Sequence, residues 1–258
     1  GTTFRTRNGD SVAVFRNGIY ISSNAISNFN WSGTVALSGL GDSVSVKIMN
    51  YLGYSNQETI TINYYDVSGV NVWYINDTEP VAGDSWCSAV GSDLNNGVSS
   101  SSPKRGFASI ANYVSAGDTI YFDSGVYYDT IVINTNVVSI IGADSRYTVI
   151  DPPGSYNTTN LYGIYAINKS QLKIQNLKIT SCYDGIYWDN VDISYINDVY
   201  IETSGLSSMR GGIYLTTGSN SNTISNCYFD RNWFGIYLNS SSVNNFISNN
   251  ILSSNSNG

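Results

Sequence analysis

Gly163-Ile164-Tyr165, Gly185-Ile186-Tyr187, Gly212-Ile213-Tyr214 and Gly235-Ile236-Tyr237 repeat one tripeptide four times, and Gly258 stands where a fifth would begin. The five glycines are spaced by 22, 27, 23 and 23 residues. A period in this range marks stacked units that each contact only their neighbours. Within each copy the side chains alternate. Ile164, Ile186, Ile213 and Ile236 share a side with Ala166, Trp188, Leu215 and Leu238, two positions on, and that side is the expected core. Tyr165, Tyr187, Tyr214 and Tyr237 fall on the other side, an expected outward tyrosine ladder.

A second register travels with the first. Asn176, Asp198, Asn226 and Asn249 recur at gaps of 22, 28 and 23, each two residues after an isoleucine: Ile174, Ile196, Ile224 and Ile247. Each period therefore holds at least two short strands, here 172–179, 193–201, 222–229 and 245–252. The Asn/Asp register is expected to stack its side chains along the axis, with Asp198 interrupting the amides. The Leu-x-x-Leu-x-Leu frame of a leucine-rich repeat is missing, and helical repeats need longer periods and helix formers. Coils rich in Ser, Asn, Gly, Tyr and Ile predict an all-β fold, a parallel β-helix, right-handed by the usual crossover rule.

The chain has 258 residues, a net charge of −7, 12% charged residues and no histidine. An acidic balance disfavours nucleic acid as a partner. Without histidine, His-based triads and most zinc sites are excluded. No apolar run approaches the ~18 residues of a membrane span, so membrane insertion is not expected. Cys87, Cys182 and Cys227 are too few and too scattered for a disulfide framework and read as small buried hydrophobes. Abundant Ser, Asn, Thr, Gly and Tyr with little charge point to an extracellular or cell-surface β protein.

Residues 1–66 lack the repeat. Strand-like runs at 11–15, 18–22, 34–37, 43–49 and 59–65 are separated by turn signals such as Asn17-Gly18 and Ser32-Gly33, which suggests a small antiparallel sandwich. The run from Trp31 to Ser38, then Gly41 to Lys47, then Gln57 to Asp66 resembles the closing strands of bacterial immunoglobulin-like modules, whose first strand would precede Gly1. Residues 67–73 read as a linker, and 74–258 as the β-helix. Phe107, Ile110 and Val114 give one apolar face to a short capping helix over 107–114, and such a cap covers exposed strand edges. Tyr74-Ile75-Asn76-Asp77, Gly91-Ser92-Asp93, Phe107-Ala108-Ser109-Ile110 and Ala116-Gly117-Asp118-Thr119 through Tyr127 resemble the N-terminal cap of the pectate-lyase-like superfamily of right-handed β-helix proteins. The cap is then 74–122 and the coils 123–258, with no capping segment after the last.

That superfamily holds polysaccharide lyases and hydrolases, adhesins and structural surface proteins. The resemblance implies, for a lyase, calcium on acidic residues and a basic proton acceptor. Asp184, Asp189 and Asp192 are the nearest acids and Arg210 the nearest base, yet no catalytic motif matches residue by residue, so solvated turns are the plainer account and no catalytic residue is assigned. Asp93-Leu94-Asn95-Asn96-Gly97 echoes the start of a calcium loop without its distal glutamate, and an Asx turn explains it more simply. No cofactor is expected otherwise. The tyrosine ladder suits a glycan or a packing partner, while β-propensity alone also produces such a row. The expected function is a structural or adhesive surface protein, with other copies or neighbouring surface proteins as partners and a filament among the outcomes if unfinished ends pair. The alternative is a carbohydrate-active β-helix enzyme, a polysaccharide lyase or hydrolase, or a glycan-binding module. Ile213→Asp should be severe and Tyr214→Ser should cost ~1 kcal/mol or less.

Overall fold

The computed structural model describes residues 72–80, 82–154, 161–202 and 211–257, and the backbone of four strands nearer the N-terminus. Contacts divide the chain into two units, Gly1–Ser68 and Gly69–Gly258. In the first, β1 (Ser11–Arg16), β2 (Ile19–Ala25), β3 (Ser43–Met49) and β4 (Ile60–Asn63) form one antiparallel sheet in the order β2-β1-β3-β4. One sheet is described here, and a sandwich needs two. The expected strand at 34–37 lies outside the described residues.

The second unit is a parallel β-helix. Its early strands are β5 (Val72–Ile75), β6 (Thr119–Phe122), β7 (Gly125–Tyr127), β8 (Ile131–Ile133), β9 (Ser139–Gly142) and β10 (Thr148–Ile150). The regular coils follow with β11 (Tyr162–Ser170), β12 (Lys173–Thr180), β13 (Asp184–Asp192), β14 (Tyr195–Glu202) and β15 (Ile213–Thr216). They continue through β16 (Thr223–Ser225), β17 (Tyr228–Asp230), β18 (Ile236–Leu238), β19 (Phe246–Ser248) and β20 (Ile251–Ser253). Because β5 pairs with β6, the first coil already includes Val72 and Trp73, which the sequence placed in a linker.

Three parallel faces enclose the core. The tyrosine face is β8, β11, β13, β15 and β18. The second face is β5, β6, β9, the first halves of β12 and β14, then β16 and β19. The third is β7, β10, the second halves of β12 and β14, then β17 and β20. Ile164, Ile186 and Ile213 meet Ile174, Ile196 and Ile224 and Ile179 and Ile201 inside, all with no exposed surface. In the last coil Ile236 is half-buried and Leu238 exposed.

The Asn/Asp register turns out to serve the backbone. Asn176, Asp198, Asn226 and Asn249 have φ of 57°, 51°, 55° and 55°, the left-handed region that Asn and Asp tolerate best. They bend each coil from the second face to the third, and three of the four are exposed. The expected axial stack of their side chains does not form: Asn226 instead donates to Asn197 Oδ1 at 2.7 Å. Amides stack at a corner the sequence did not single out, in the column Leu172, Ser194, Asn222 and Asn245. There Asn245 Oδ1 accepts from Asn222 N (2.9 Å), Asn222 Oδ1 from Ser194 N (2.9 Å), and Ser194 Oγ from Leu172 N (2.9 Å). Side chains thus satisfy backbone N–H groups that the turns leave unpaired.

The expected capping helix is shorter than 107–114. Only Phe107–Ser109 is helical, a single 3-10 turn with no side-chain cap. The stretch after Ile110 is Ala-Asn-Tyr-Val-Ser, poor in helix formers, and it closes instead on Asp118, whose Oδ2 accepts Ser115 N at 2.9 Å. Phe107 and Ile110 are buried as the spacing required.

Candidate functional site

The tyrosine ladder forms, as a stack. Tyr165 to Tyr187, Tyr187 to Tyr214 and Tyr214 to Tyr237 have ring centroids 5.5, 5.5 and 5.1 Å apart with planes within 19° of parallel. Tyr162 packs over Tyr165 and Tyr187 at 4.9 and 4.8 Å, and Phe234 on Tyr237 at 4.7 Å. Each inner ring has both faces against a neighbour, so its flat surface is closed to a sugar. Tyr214 keeps only 7% of its surface, and its hydroxyl accepts from Asn239 Nδ2 at 2.9 Å. Tyr165, Tyr187 and Tyr237 stay half-buried on the side away from the isoleucines, and it is their ring faces that coil-to-coil stacking covers.

The three acidic lyase candidates form no metal-holding group among the described residues. Asp184 is fully buried, Asp189 accepts from the Tyr187 hydroxyl at 3.4 Å, and Asp192 Oδ1 accepts Asn220 N at 2.7 Å to hold a corner. Arg210 lies outside the described residues. Asp93 is an ion-pair partner of Arg105 at 2.6 Å, Asn95 Nδ2 donates to Pro103 O, and Asn96 Oδ1 accepts Val98 N, which makes this loop an Asx-turn structure.

A concave site that the sequence missed sits in the cap. A cleft of about 690 Å³ is lined by Asp77, Arg105, Ser109, Val126, Tyr128 and Asp129 among others. Asp77 is fixed by both oxygens, which accept Glu79 N (3.0 Å) and Val126 N (3.2 Å). Asp129 Oδ2 accepts Phe107 N at 2.7 Å, tying the 3-10 turn to the coil below. Tyr128 follows β7 on its solvent side and is 66% exposed. No aromatic pairing of its ring is found among the described residues, unlike the ladder tyrosines. An open ring beside fixed, planar polar groups can hold a flat polar molecule by its face and its hydroxyls at once.

Beneath the cleft, Asp123 is the anchor of the cap. Its two oxygens accept Ser85 N (2.6 Å), Trp86 N (2.8 Å), Cys87 N (2.6 Å) and Ser124 N (2.8 Å). Burial pushes its carboxyl up, but the donors from Ser85, Cys87, Trp86 and Ser124 together outweigh that and hold it below the usual carboxylate range. No local signal announces this, because the loop it ties lies 36 to 38 residues away for all but Ser124.

Residues 140–258 match the family model described as "Periplasmic copper-binding protein (NosD)". No curated protein matches the chain. Among solved structures, the catalytic domain of a GH87 alpha-1,3-glucanase in complex with tetrasaccharides is similar at a TM-score of 0.43 and 13% identity, over 95% of this chain. The chain spans 58% of that one's length. The donors among the described residues do not fit copper. The sequence has no histidine, and no group of three or more Cys, Asp or Glu among the described residues is placed to hold a metal. Burial pushes the thiols of Cys87 and Cys227 up to about 12 and about 11, and that of Cys182 higher still, so none is poised to become a thiolate ligand. Met49 and Met209 lie outside the described side chains.

Proposed function

We propose that this chain is an extracytoplasmic β-helix that binds a glycan in its cap cleft, as an adhesive or structural surface element. The observation that carries this is the exposed Tyr128 ring standing in a cleft of about 690 Å³ beside Asp77, Arg105 and Asp129. That volume lies within the usual range of small-ligand sites. The lining offers fixed acceptors, a guanidinium and one open aromatic face, the combination a sugar with its hydroxyl rim and apolar face requires. The composition and the match of residues 140–258 to a family named as periplasmic support the location.

Affinity electrophoresis through gels holding starch, laminarin, xylan, mannan, alginate or polygalacturonate tests the binding. Retardation by at least one polymer, lost in Tyr128→Ala and kept in Tyr113→Ala, is the expected result. Tyr113 is also exposed but lines none of the clefts. Unchanged migration in every gel would refute a glycan-binding role.

A further inference from the structure

The cap cleft is one end of a longer surface. Along the third face, pairing aligns Val126, Val149, Lys178, Tyr200 and Tyr228 in one solvent-side column. Their inward neighbours Tyr127, Ile150, Ile179, Ile201 and Phe229 are buried, which fixes the orientation of the column. Four strand steps separate Val126 from Tyr228, roughly 19 Å at the usual strand spacing.

Two further clefts follow this column. One of about 400 Å³ shares Asp77 with the cap cleft and is lined by Gly125 and Tyr147. The next, about 370 Å³, is lined by Ser145, Arg146, Asp198, Tyr200, Asn226 and Tyr228. The second and third adjoin through the consecutive residues Arg146 and Tyr147. Each of the three contains an exposed tyrosine: Tyr128 at 66%, Tyr147 at 60% and Tyr228 at 36%. Tyr228 meets Tyr200 edge-on with ring centroids 5.0 Å apart, whereas the ladder tyrosines on the opposite side of the core stack face to face.

The polar groups along the way are pre-set. Ser145 Oγ donates to Asp198 Oδ1 at 3.0 Å, and Asn226 Nδ2 to Asn197 Oδ1 at 2.7 Å. Arg146 is held by Asp144 through two bonds of 3.1 and 3.0 Å and lies over the Tyr147 ring at 5.3 Å. Lys178 lies over the Tyr200 ring at 4.6 Å and pairs with Glu202 at 3.0 Å. Fixed side chains cost a ligand little ordering.

Charge decides between neutral and acidic chains. Arg105 is paired with Asp93, which leaves Asp77 and Asp129 as excess negative charge in the cap cleft. Lys178 and Arg231 are balanced by Glu202 and Asp230, and Arg146 by Asp144. A polyuronate would meet repulsion at the cap and, among the described residues of the column, no unpaired cation beyond it, on a chain of net charge −7.

We infer that the third face is a single track for an extended neutral polysaccharide, running from Tyr128 in the cap past Tyr147 to Tyr228. It rests on glycan binding at the cap cleft and adds the length, direction and charge class of what is bound. Titration calorimetry with malto-, laminari- and cello-oligosaccharides, from disaccharide to octasaccharide, reads the length. In one of the series the affinity should climb roughly tenfold or more between the shortest and longest members, as successive clefts are joined. Tyr228→Ala should remove most of that climb, and Tyr228→Phe, which keeps the ring, should retain it. Melting curves confirm that both variants are folded.

An octasaccharide bound no more tightly than a disaccharide, or one insensitive to Tyr228→Ala, would overturn the track and leave the cap cleft standing. Tighter binding of oligogalacturonate than of every neutral series would overturn the charge class. Absence of any binding, with Tyr128→Ala equally silent, would remove the cap-cleft reading itself and the track with it.

Discussion

The Tyr214 ring lies against that of Tyr187, centroids 5.5 Å apart and planes 17° from parallel, and 7% of Tyr214 remains exposed. The face opposite the isoleucine column is therefore a second packed layer, built of rings along the axis. Tyr214→Ala should cost about 3 kcal/mol, close to the loss of a core aromatic. Tyr214→Phe, which keeps the ring and gives up the bond from Asn239, should cost under about 1 kcal/mol. Denaturant midpoints check both, and an alanine variant as stable as the parent would mean that the stack contributes nothing.

Gly185 shows why the sequence marked its own repeat. A Cβ there would come within 2.5 Å of Ile201 Cγ2 and 2.9 Å of Gly212 O. At this point the tyrosine face touches the inward isoleucine of the third face. Gly185→Ala should destabilise by about 1–3 kcal/mol, as overpacking does. Thermal melts of that variant against the parent chain measure it.

The isoleucine and glycine columns were legible because each coil imposes the same close contact, and a repeated constraint leaves a periodic trace. The Asn/Asp register was visible too, although its cause is left-handed backbone and not amide stacking. Ile193 and Arg231 take the same conformation at φ of 52° and 55°, with no residue-type signal to betray it. The clefts were illegible for a different reason. Asp77, Arg105, Tyr128 and Tyr228 come from separate coils and loops, each an ordinary strand or turn residue until the coils are stacked. Tyrosine is also a good strand former, so the sequence cannot separate the closed ring of Tyr214 from the open ring of Tyr128.

Asp123 makes the cap sensitive to acid. Its carboxyl titrates below the ordinary value in the folded chain, so its contribution is present above roughly pH 4, the unfolded value, and is lost as pH falls through the lower folded value. Unfolding followed between neutral and strongly acidic pH should show a loss of stability at the acid end. Asp123→Asn should cost about 2 kcal/mol at neutral pH and flatten that acid slope. An unaltered slope would assign the acid sensitivity elsewhere.

The three cysteines are buried and free, with thiols pushed up by burial. A thiol reagent at neutral pH should therefore find none of them in the folded chain and all of them after denaturation. Copper(I) or copper(II) should leave the melting temperature unshifted, since a metal bound only by the native state would raise it. A stabilising shift that a chelator reverses would show a donor set beyond the residues described.

Glu202 is the hub of the third face. Its Oε2 meets Lys178 at 3.0 Å and accepts from the Tyr200 hydroxyl at 3.1 Å, while its Oε1 meets Arg231. Glu202 and Lys178 are largely covered, with side-chain exposures of 15% and 23%, whereas Arg231 is 58% exposed. The two pairs should therefore respond differently to salt, because screening weakens the exposed one and spares the covered one. Glu202→Gln should cost about 1–2 kcal/mol, and most of it should persist in high salt. A double-mutant cycle with Lys178→Met, run at low and high ionic strength, separates the terms. Coupling that vanishes in salt would mean that Lys178 and Glu202 are solvated at this face. Lys178 would then stand as an unpaired cation in the column, and the charge balance that favours a neutral chain would tilt toward an acidic one.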